Sequence, residues 1–174
     1  MSARIAAVIA VSAALAGVVP PAQAHHSLLI REVRASALSP DSAFVELQAY
    51  RQGQNDLTGA QLIAYDQTGI TQTPFTFTGA APNSQSQRTV LAGGSGVAGA
   101  DFTFPGLGAA LSPSGGAVCL PEASPPDCVS WGSFAGSSML PFPGAGAPAP
   151  AIAEGRSLTR TIARGCALGL DVED

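Results

Sequence analysis

A pair of cysteines, a pair of histidines and a pair of glutamates are the residues of this chain whose types and spacing could support chemistry. Cys119 and Cys128 lie in one stretch, Gly115 to Gly132, which reads G-G-A-V-C-L-P-E-A-S-P-P-D-C-V-S-W-G. Eight residues separate the two cysteines and no histidine lies near them, whereas zinc ribbons use closer cysteine pairs. The spacing therefore favours a disulfide over a metal site.

The same stretch predicts a β-hairpin in which Cys119 faces Cys128, Val118 faces Val129 and Gly116 faces Trp131. Because side chains alternate along a strand, one face would be large and apolar. It would consist of Val118, Leu120, Val129 and Trp131. The other face would be small and would carry the bridge, with Ala117, Cys119, Cys128 and Ser130. Proline cannot donate to a ladder, which assigns the turn to Pro121, Pro125 and Pro126.

The two histidines, His25 and His26, would begin the mature chain if a leader is removed. A free α-amine beside a histidine can chelate copper, so a copper-binding secreted β-sandwich built on His25 is one alternative function. No other histidine exists to complete such a site. The other interpretation is an exposed stub before the first strand, and we expect no metal ligand and no cofactor.

The two glutamates, Glu32 and Glu46, fall on neighbouring predicted strands and could form a carboxylate pair for acid–base hydrolysis. The alternative is that both lie on the solvent face and pair with an arginine such as Arg31, Arg34 or Arg160. No G-x-S-x-G motif is present, and a catalytic triad lacks an anchored histidine base. We therefore expect no catalytic residues and no enzyme activity.

The first 24 residues have the three parts of a signal peptide. A short basic region, Met1 to Arg4, precedes an apolar run from Ile5 to Val19, and Ala22 to Ala24 forms an A-x-A cleavage site. The run of 15 residues is short for a membrane span. The pattern predicts cleavage after Ala24, a secreted or cell-surface protein, and no membrane span after cleavage, in keeping with a disulfide.

Composition restricts the partners that the chain could bind. All 8 cations are arginines, charged residues make up 11%, and the net charge is −4. Nothing is basic enough to hold a polyanion by bulk electrostatics, so we expect no nucleic acid partner. The length of 174 residues, with 20 glycines and 14 prolines, suits one folded, turn-rich domain.

Short apolar runs separated by glycine, proline, asparagine or aspartate predict an all-β sandwich or barrel. Strands are expected at residues 28–35, 43–50, 61–65, 74–78, 87–92, 102–104 and 156–162, besides the hairpin. In the first strand the alternation is imperfect, and it places Leu28 and Ile30 on one face with Val33 on the other. The expected core consists of Trp131, Val118, Leu120, Val129, Val45, Leu47 and Phe77.

An ordered series of motifs resembles the bacterial lamin-tail domain. The series runs I-R-E-V from Ile30, F-V-E-L from Phe44, D-L-T-G-A-Q-L from Asp56, F-T-F from Phe75, V-L-A-G from Val90, L-S-P-S-G-G-A-V-C-L from Leu111, D-C-V-S-W-G from Asp127 and R-S-L-T-R from Arg156. The resemblance implies an immunoglobulin-like β-sandwich over residues 25–163, with a C-terminal tail at 164–174. It also implies a non-catalytic structural or binding module with a protein or polysaccharide surface partner.

The chain departs from the family pattern at Ala60, and separately it has a third cysteine, Cys166, that the hairpin does not use. Ala60 stands where the family often has a tryptophan, which predicts looser packing at that point. Cys166 is left over from the hairpin bridge, and we expect it to be free or to join a second chain as a covalent dimer. Its burial under Leu168 and Leu170 is the alternative.

Overall fold

The computed structural model describes residues 28–50, 52–82, 89–123, 126–136, 140, 147–161 and 171–173, and these contain ten strands. The strands are β1 (Leu28–Arg34), β2 (Phe44–Ala49), β3 (Gln61–Tyr65), β4 (Gln72–Thr76), β5 (Thr89–Gly93), β6 (Phe102–Thr103), β7 (Gly115–Leu120), β8 (Asp127–Gly132), β9 (Leu158–Thr161) and β10 (Asp171–Glu173). Within these ranges the only helical elements are a 3-10 turn at Pro40–Ser42 and a single α-turn, α1 (Leu107–Ala110).

The strands form two sheets, which confirms the predicted all-β fold. One sheet has six strands in the order β10-β9-β1-β2-β5-β6, and the other has four in the order β4-β3-β7-β8. Every pairing is antiparallel except that of β5 with β6, which are parallel. None of the helical turns in the described ranges has the length and apolar character needed to cross a bilayer.

The main core contains apolar side chains from strands of both sheets. All seven residues predicted to be buried are in it: Trp131, Val118, Leu120, Val129, Val45, Leu47 and Phe77. The Trp131 indole is fully buried, and its Nε1 donates to the carbonyl oxygen of Ser112 at 2.8 Å. Apolar burial of this kind contributes roughly 25 cal/mol per Å².

The β7–β8 hairpin has the predicted register, with Cys119 opposite Cys128 and Gly116 opposite Trp131. The cysteine Cα atoms are 4.1 Å apart and the sulfur atoms are joined at 1.98 Å. Glycine is required at position 116, because a Cβ there would lie 2.9 Å from the Tyr65 carbonyl oxygen and 3.3 Å from the Trp131 ring. The two predicted faces are also present, since the cysteines belong to a separate small apolar cluster with Tyr65 and Phe134.

A β-bulge in β1 corrects the predicted orientation of Val33. The register with β2 runs Ile30 to Leu47 and then Glu32 to Glu46, so Arg31 is the extra residue. A bulge shifts the alternation by one position. Val33 is therefore fully buried in the same core as Leu28 and Ile30, whereas the sequence pattern placed it on the opposite face.

Strand ends differ from the predicted ones in two places. β4 begins two residues earlier than expected and ends at Thr76, so Phe77 is buried just beyond the strand. The final predicted strand ends at Thr161, and β10, which was not predicted, pairs with it from within the segment interpreted as a tail. The predictions for the signal peptide at residues 1–24, for His25 and His26 and for Cys166 lie outside the described residues.

Candidate functional site

The candidate site is a groove of about 650 Å³ on the outer side of β1, which we call the β1 groove. β1 pairs with β9 only at Glu32–Thr159 and Val33–Leu158. Before β9, the chain from residue 150 to residue 157 does not pair with β1 in a sheet ladder. The groove lies between this segment and the outer side chains of β1 and β2, and its lining includes Glu32, Arg34, Phe44, Ile152, Arg156 and Ser157.

Hydrogen bonds hold the 150–157 segment in place. The Glu154 carboxylate accepts from the Ser36 hydroxyl and, at 3.1 Å, from the backbone N–H of Ala37. The Ser36 hydrogen bond lowers the pKa of Glu154, so this carboxylate stays ionised to more acidic pH than usual. Ile152, which is buried, donates its backbone N–H to the Pro113 carbonyl oxygen at 2.9 Å. The far wall of the groove is therefore attached to the sandwich at two points.

Two arginines dominate the electrostatics of the β1 groove. Arg34 is half-buried and Arg156 is exposed. Neither forms an ion pair with any residue that the structure describes. The Nε atom of Arg34 is buried and has no hydrogen-bond partner among these residues. Glu32 is the acidic group of the lining. The Arg34 charge also helps to lower the pKa of Glu154, although no ion pair forms between them. The groove therefore offers guanidinium donors that no hydrogen bond or ion pair engages in the described ranges.

Glu32 and Glu46, the candidate carboxylate pair, are brought together as direct cross-strand partners. Glu46 also forms an ion pair with Arg31 at 3.4 Å, which agrees with the predicted pairing to arginine. Burial raises the pKa of Glu46, the Arg31 charge opposes that rise, and the Glu32 charge adds to it. Only Glu32 of the two lines the groove, so the pair does not face a common cavity.

Arg160 does not pair with either glutamate, because it is buried in the core side of β9. Its two terminal amino groups donate to the Asp127 carboxylate at 2.8 and 2.5 Å. The same carboxylate accepts from the backbone N–H of Ile30 at 2.7 Å. Both side chains are nearly inaccessible, at 5% and 6% exposed. This bidentate pair connects the first strand, the ninth strand and the disulfide hairpin.

The Arg160–Asp127 pair was missed in the sequence, although a signal for it exists. Asp127 has the same parity as Val129 and Trp131, so alternation places it on the core face of the hairpin. Arg160 lies two residues after the buried Leu158, so alternation places it on the core face of its strand as well. Two opposite charges at inward positions are best explained by a mutual ion pair, since an unpaired buried charge is very costly.

Tyr50 lies close to this ion pair and is itself unusual. Among the described residues its hydroxyl is buried without a hydrogen-bond partner. Burial raises the pKa of Tyr50 to about 12, with the Arg160 charge opposing the rise and the Asp127 charge adding to it. The hydroxyl therefore stays neutral throughout the physiological range.

Comparison with known proteins identifies no relative: no protein-family model, no curated protein and no solved structure matches the chain. Among the described residues, no group of three or more histidine, cysteine, aspartate or glutamate side chains is placed so that it could hold a metal ion. The copper alternative at His25 concerns a residue outside those ranges.

Proposed function

We propose that this protein is an exported, non-catalytic binding module with an immunoglobulin-like β-sandwich of the lamin-tail type. It acts at the cell surface or outside the cell and binds its partner in the β1 groove. The observation that carries the proposal is the pair of arginines in that groove, Arg34 and Arg156, which have no ion-pair partner in the described structure. Charged groups of this kind, on a surface held by a rigid scaffold, are typical of recognition sites.

The order of the motifs supports the lamin-tail type. The segments I-R-E-V, F-V-E-L, V-L-A-G and D-C-V-S-W-G lie in β1, β2, β5 and β8 respectively. The R-S-L-T-R segment leads into β9, and β1 pairs with both β2 and β9. The motifs thus coincide with regular strands of two sheets, as the resemblance implies.

The signal-peptide pattern and the joined cysteines support export. The apolar run and A-x-A site precede His25, and the two sulfur atoms are at bonding distance. Disulfides persist mainly in oxidising compartments. Mass spectrometry of the exported protein should give His25 as its first residue, and material that retains any residue upstream of His25 would contradict cleavage after Ala24.

The binding proposal can be tested by filling the groove. Ala153 is an exposed residue of the groove lining, so Ala153→Trp places a large side chain there without disturbing the core. Ile70 is 72% exposed and lies outside the lining, which makes Ile70→Trp the matched control. The mature protein and the control should co-sediment with isolated cell envelopes from the producing cells, and the Ala153→Trp variant should not. Equal sedimentation of all three, or of none, would contradict the proposal.

A hydrolase using Glu32 and Glu46 is the second candidate, because the strand register does place these carboxylates opposite each other. A raised pKa on one member of such a pair is the pattern of a general acid. The ion pair between Glu46 and Arg31 makes a structural role the better explanation. A panel of glycoside and ester substrates should give no turnover, and turnover that is lost in Glu46→Gln would establish the hydrolase instead.

A further inference from the structure

We infer that the ligand of the β1 groove is an acidic saccharide, bound through the single carboxylate of a uronic acid unit. This inference rests on the proposed binding function and specifies its ligand. Four kinds of group meet in the groove: the two guanidiniums of Arg34 and Arg156, the Glu32 carboxylate, the Phe44 ring and the hydroxyls of Ser157 and Thr159.

The arginines indicate a carboxylate. A guanidinium presents its donors in a planar fork that matches a carboxylate in a bidentate arrangement. Arg160 shows this mode inside the same protein, where it donates two hydrogen bonds to Asp127. Arg34 has no such acceptor within the described ranges, and its buried Nε is unpaired. The terminal amino groups of Arg34 form no hydrogen bond in the described ranges, and they are the donors that a ligand carboxylate would bind, since the Nε atom itself is inaccessible.

The remaining groups indicate a sugar ring rather than a densely charged polymer. Glu32 can accept hydrogen bonds from ligand hydroxyls, Ser157 and Thr159 can donate and accept, and the half-buried Phe44 ring offers an apolar surface. Glu32 and the net charge of −4 oppose phosphate-rich or polyanionic ligands. A saccharide with few carboxylates and many hydroxyls can use these hydrogen-bonding groups and carries too little negative charge to be repelled.

An extended peptide fits the groove less well. Peptides that bind to sheets usually add a strand to an open edge and use main-chain hydrogen bonds. β1 pairs with β2 on one side and with β9 at Glu32 and Val33 on the other, so beside the groove it presents no long open edge. The floor of the groove consists of outward side chains of β1 and β2, including Arg34 and Phe44, which leaves recognition to side-chain chemistry.

Isothermal titration calorimetry of the mature protein tests the inference with a defined probe. The probe is glucuronosyl-xylotriose, which carries one carboxylate, and xylotetraose is its neutral match. The acidic probe should bind and the neutral one should bind at least about tenfold more weakly, as loss of a charge-assisted hydrogen bond implies. Arg34→Gln should lose about tenfold in affinity, and Arg156→Gln should lose less because it is exposed.

Arg31→Gln is the matched control, since it removes the same charge from the same strand but lies outside the groove lining. It should bind within about twofold of the unmodified protein. No binding of the acidic saccharide, equal loss in Arg31→Gln and Arg34→Gln, or tighter binding of tetraglutamate would each overturn the inference. If the saccharide fails while Ala153→Trp still abolishes envelope binding, the ligand class is wrong and the binding function stands.

Discussion

Arg160 of β9 and Arg31 of β1 both form ion pairs, but one pair is buried and the other lies on the surface. Arg160 and Asp127 are almost inaccessible, form two hydrogen bonds to each other and connect the two sheets. Arg31 and Glu46 pair at 3.4 Å with side chains 42% and 22% exposed. Location, and not residue type, therefore decides whether an arginine contributes to the fold, because water screens the outer pair and not the inner one.

Arg34 extends the comparison to a third situation. It lies on the same strand as Arg31, but its guanidinium forms no ion pair in the described ranges. Its buried Nε lacks a hydrogen-bond partner there, as does the Nε of Arg160, so the missing carboxylate is what distinguishes it. Its charge acts on Glu154 across the groove, but it forms no hydrogen bond that a ligand would have to displace in the described ranges. We therefore assign Arg160 to folding, Arg31 to a weak surface pair and Arg34 to binding.

The largest effect should come from breaking the buried pair. Asp127→Ala leaves the Arg160 charge uncompensated and removes the acceptor of the Ile30 N–H. We expect a loss of about 3–5 kcal/mol in the free energy of unfolding, measured by urea denaturation. Glu46→Ala, the matched change in the outer pair, should cost less than about 1 kcal/mol. Similar losses in the two variants would contradict the distinction between the pairs.

Removing the hairpin bridge should have the next largest effect. Asp127 is adjacent to Cys128, so the bridge also restrains the strand that carries the buried carboxylate. Cys119→Ala combined with Cys128→Ala should cost about 2–3 kcal/mol in the chain-entropy model for so short a loop. Non-reducing peptide mapping of the unmodified protein should recover a Cys119–Cys128 peptide. A peptide joining Cys166 to either hairpin cysteine would contradict the register, and a Cys166–Cys166 peptide would support the covalent dimer.

A substitution at Ala60 tests how tightly the core is packed around that residue. Ala60 is buried beside a void of only about 10 Å³, lined by residues that include Leu28, Phe77 and Leu120. In the lamin-tail family a tryptophan often occupies this position, and here the neighbouring side chains fill most of the space that its ring would need. Ala60→Trp should overpack the site and cost roughly 1–3 kcal/mol, measured by thermal unfolding. A higher melting temperature would indicate that the region is loosely packed after all.

The smallest effect concerns the titration of Glu46. Its pKa is raised in the folded state, so the folded state binds this proton more tightly than the unfolded state does. Its contribution to the unfolding free energy therefore falls as pH rises from the ordinary value of 4.5 through the folded pKa. A carbon-detected NMR titration should place the Glu46 midpoint above 4.5. Arg31→Gln should move it higher still, and a midpoint that moved lower would contradict the ion pair.

The hairpin could be predicted because its information is local. Two cysteines, a proline-rich turn and period-two alternation determine its register over 18 contiguous residues, Gly115 to Gly132. The core residues of β2 followed in the same way, since Val45 and Leu47 alternate with half-buried positions. Where a single strand carries a regular pattern, the sequence was sufficient.

Features that depend on contacts between distant segments could not be predicted in the same way. The bulge at Arg31 reversed the expected face of Val33. The imperfect alternation of the first strand is its only trace in the sequence, because the strand lacks the glycine that marks some bulges. The β1 groove depends on the distance of the 150–157 segment from β1. The hydrogen bond from Ser36 to Glu154, which are 118 positions apart in the sequence, holds that segment in place. The sequence indicates Arg34 only as a possible partner for glutamate, because its surroundings come from three separate parts of the chain.

One measurement tests the different roles of the arginines most directly. Arginine side-chain Nε–H resonances can be followed by ¹H–¹⁵N NMR while glucuronosyl-xylotriose is added to the mature protein. The resonances of Arg34 and Arg156 should move and saturate together. The resonance of Arg160 should not move, because its Nε is buried away from the groove and its terminal amino groups are held by Asp127. The resonance of Arg31, which pairs with Glu46 outside the groove lining, should not move either. Unchanged Arg34 and Arg156 resonances, or equal movement of Arg31, would contradict these roles.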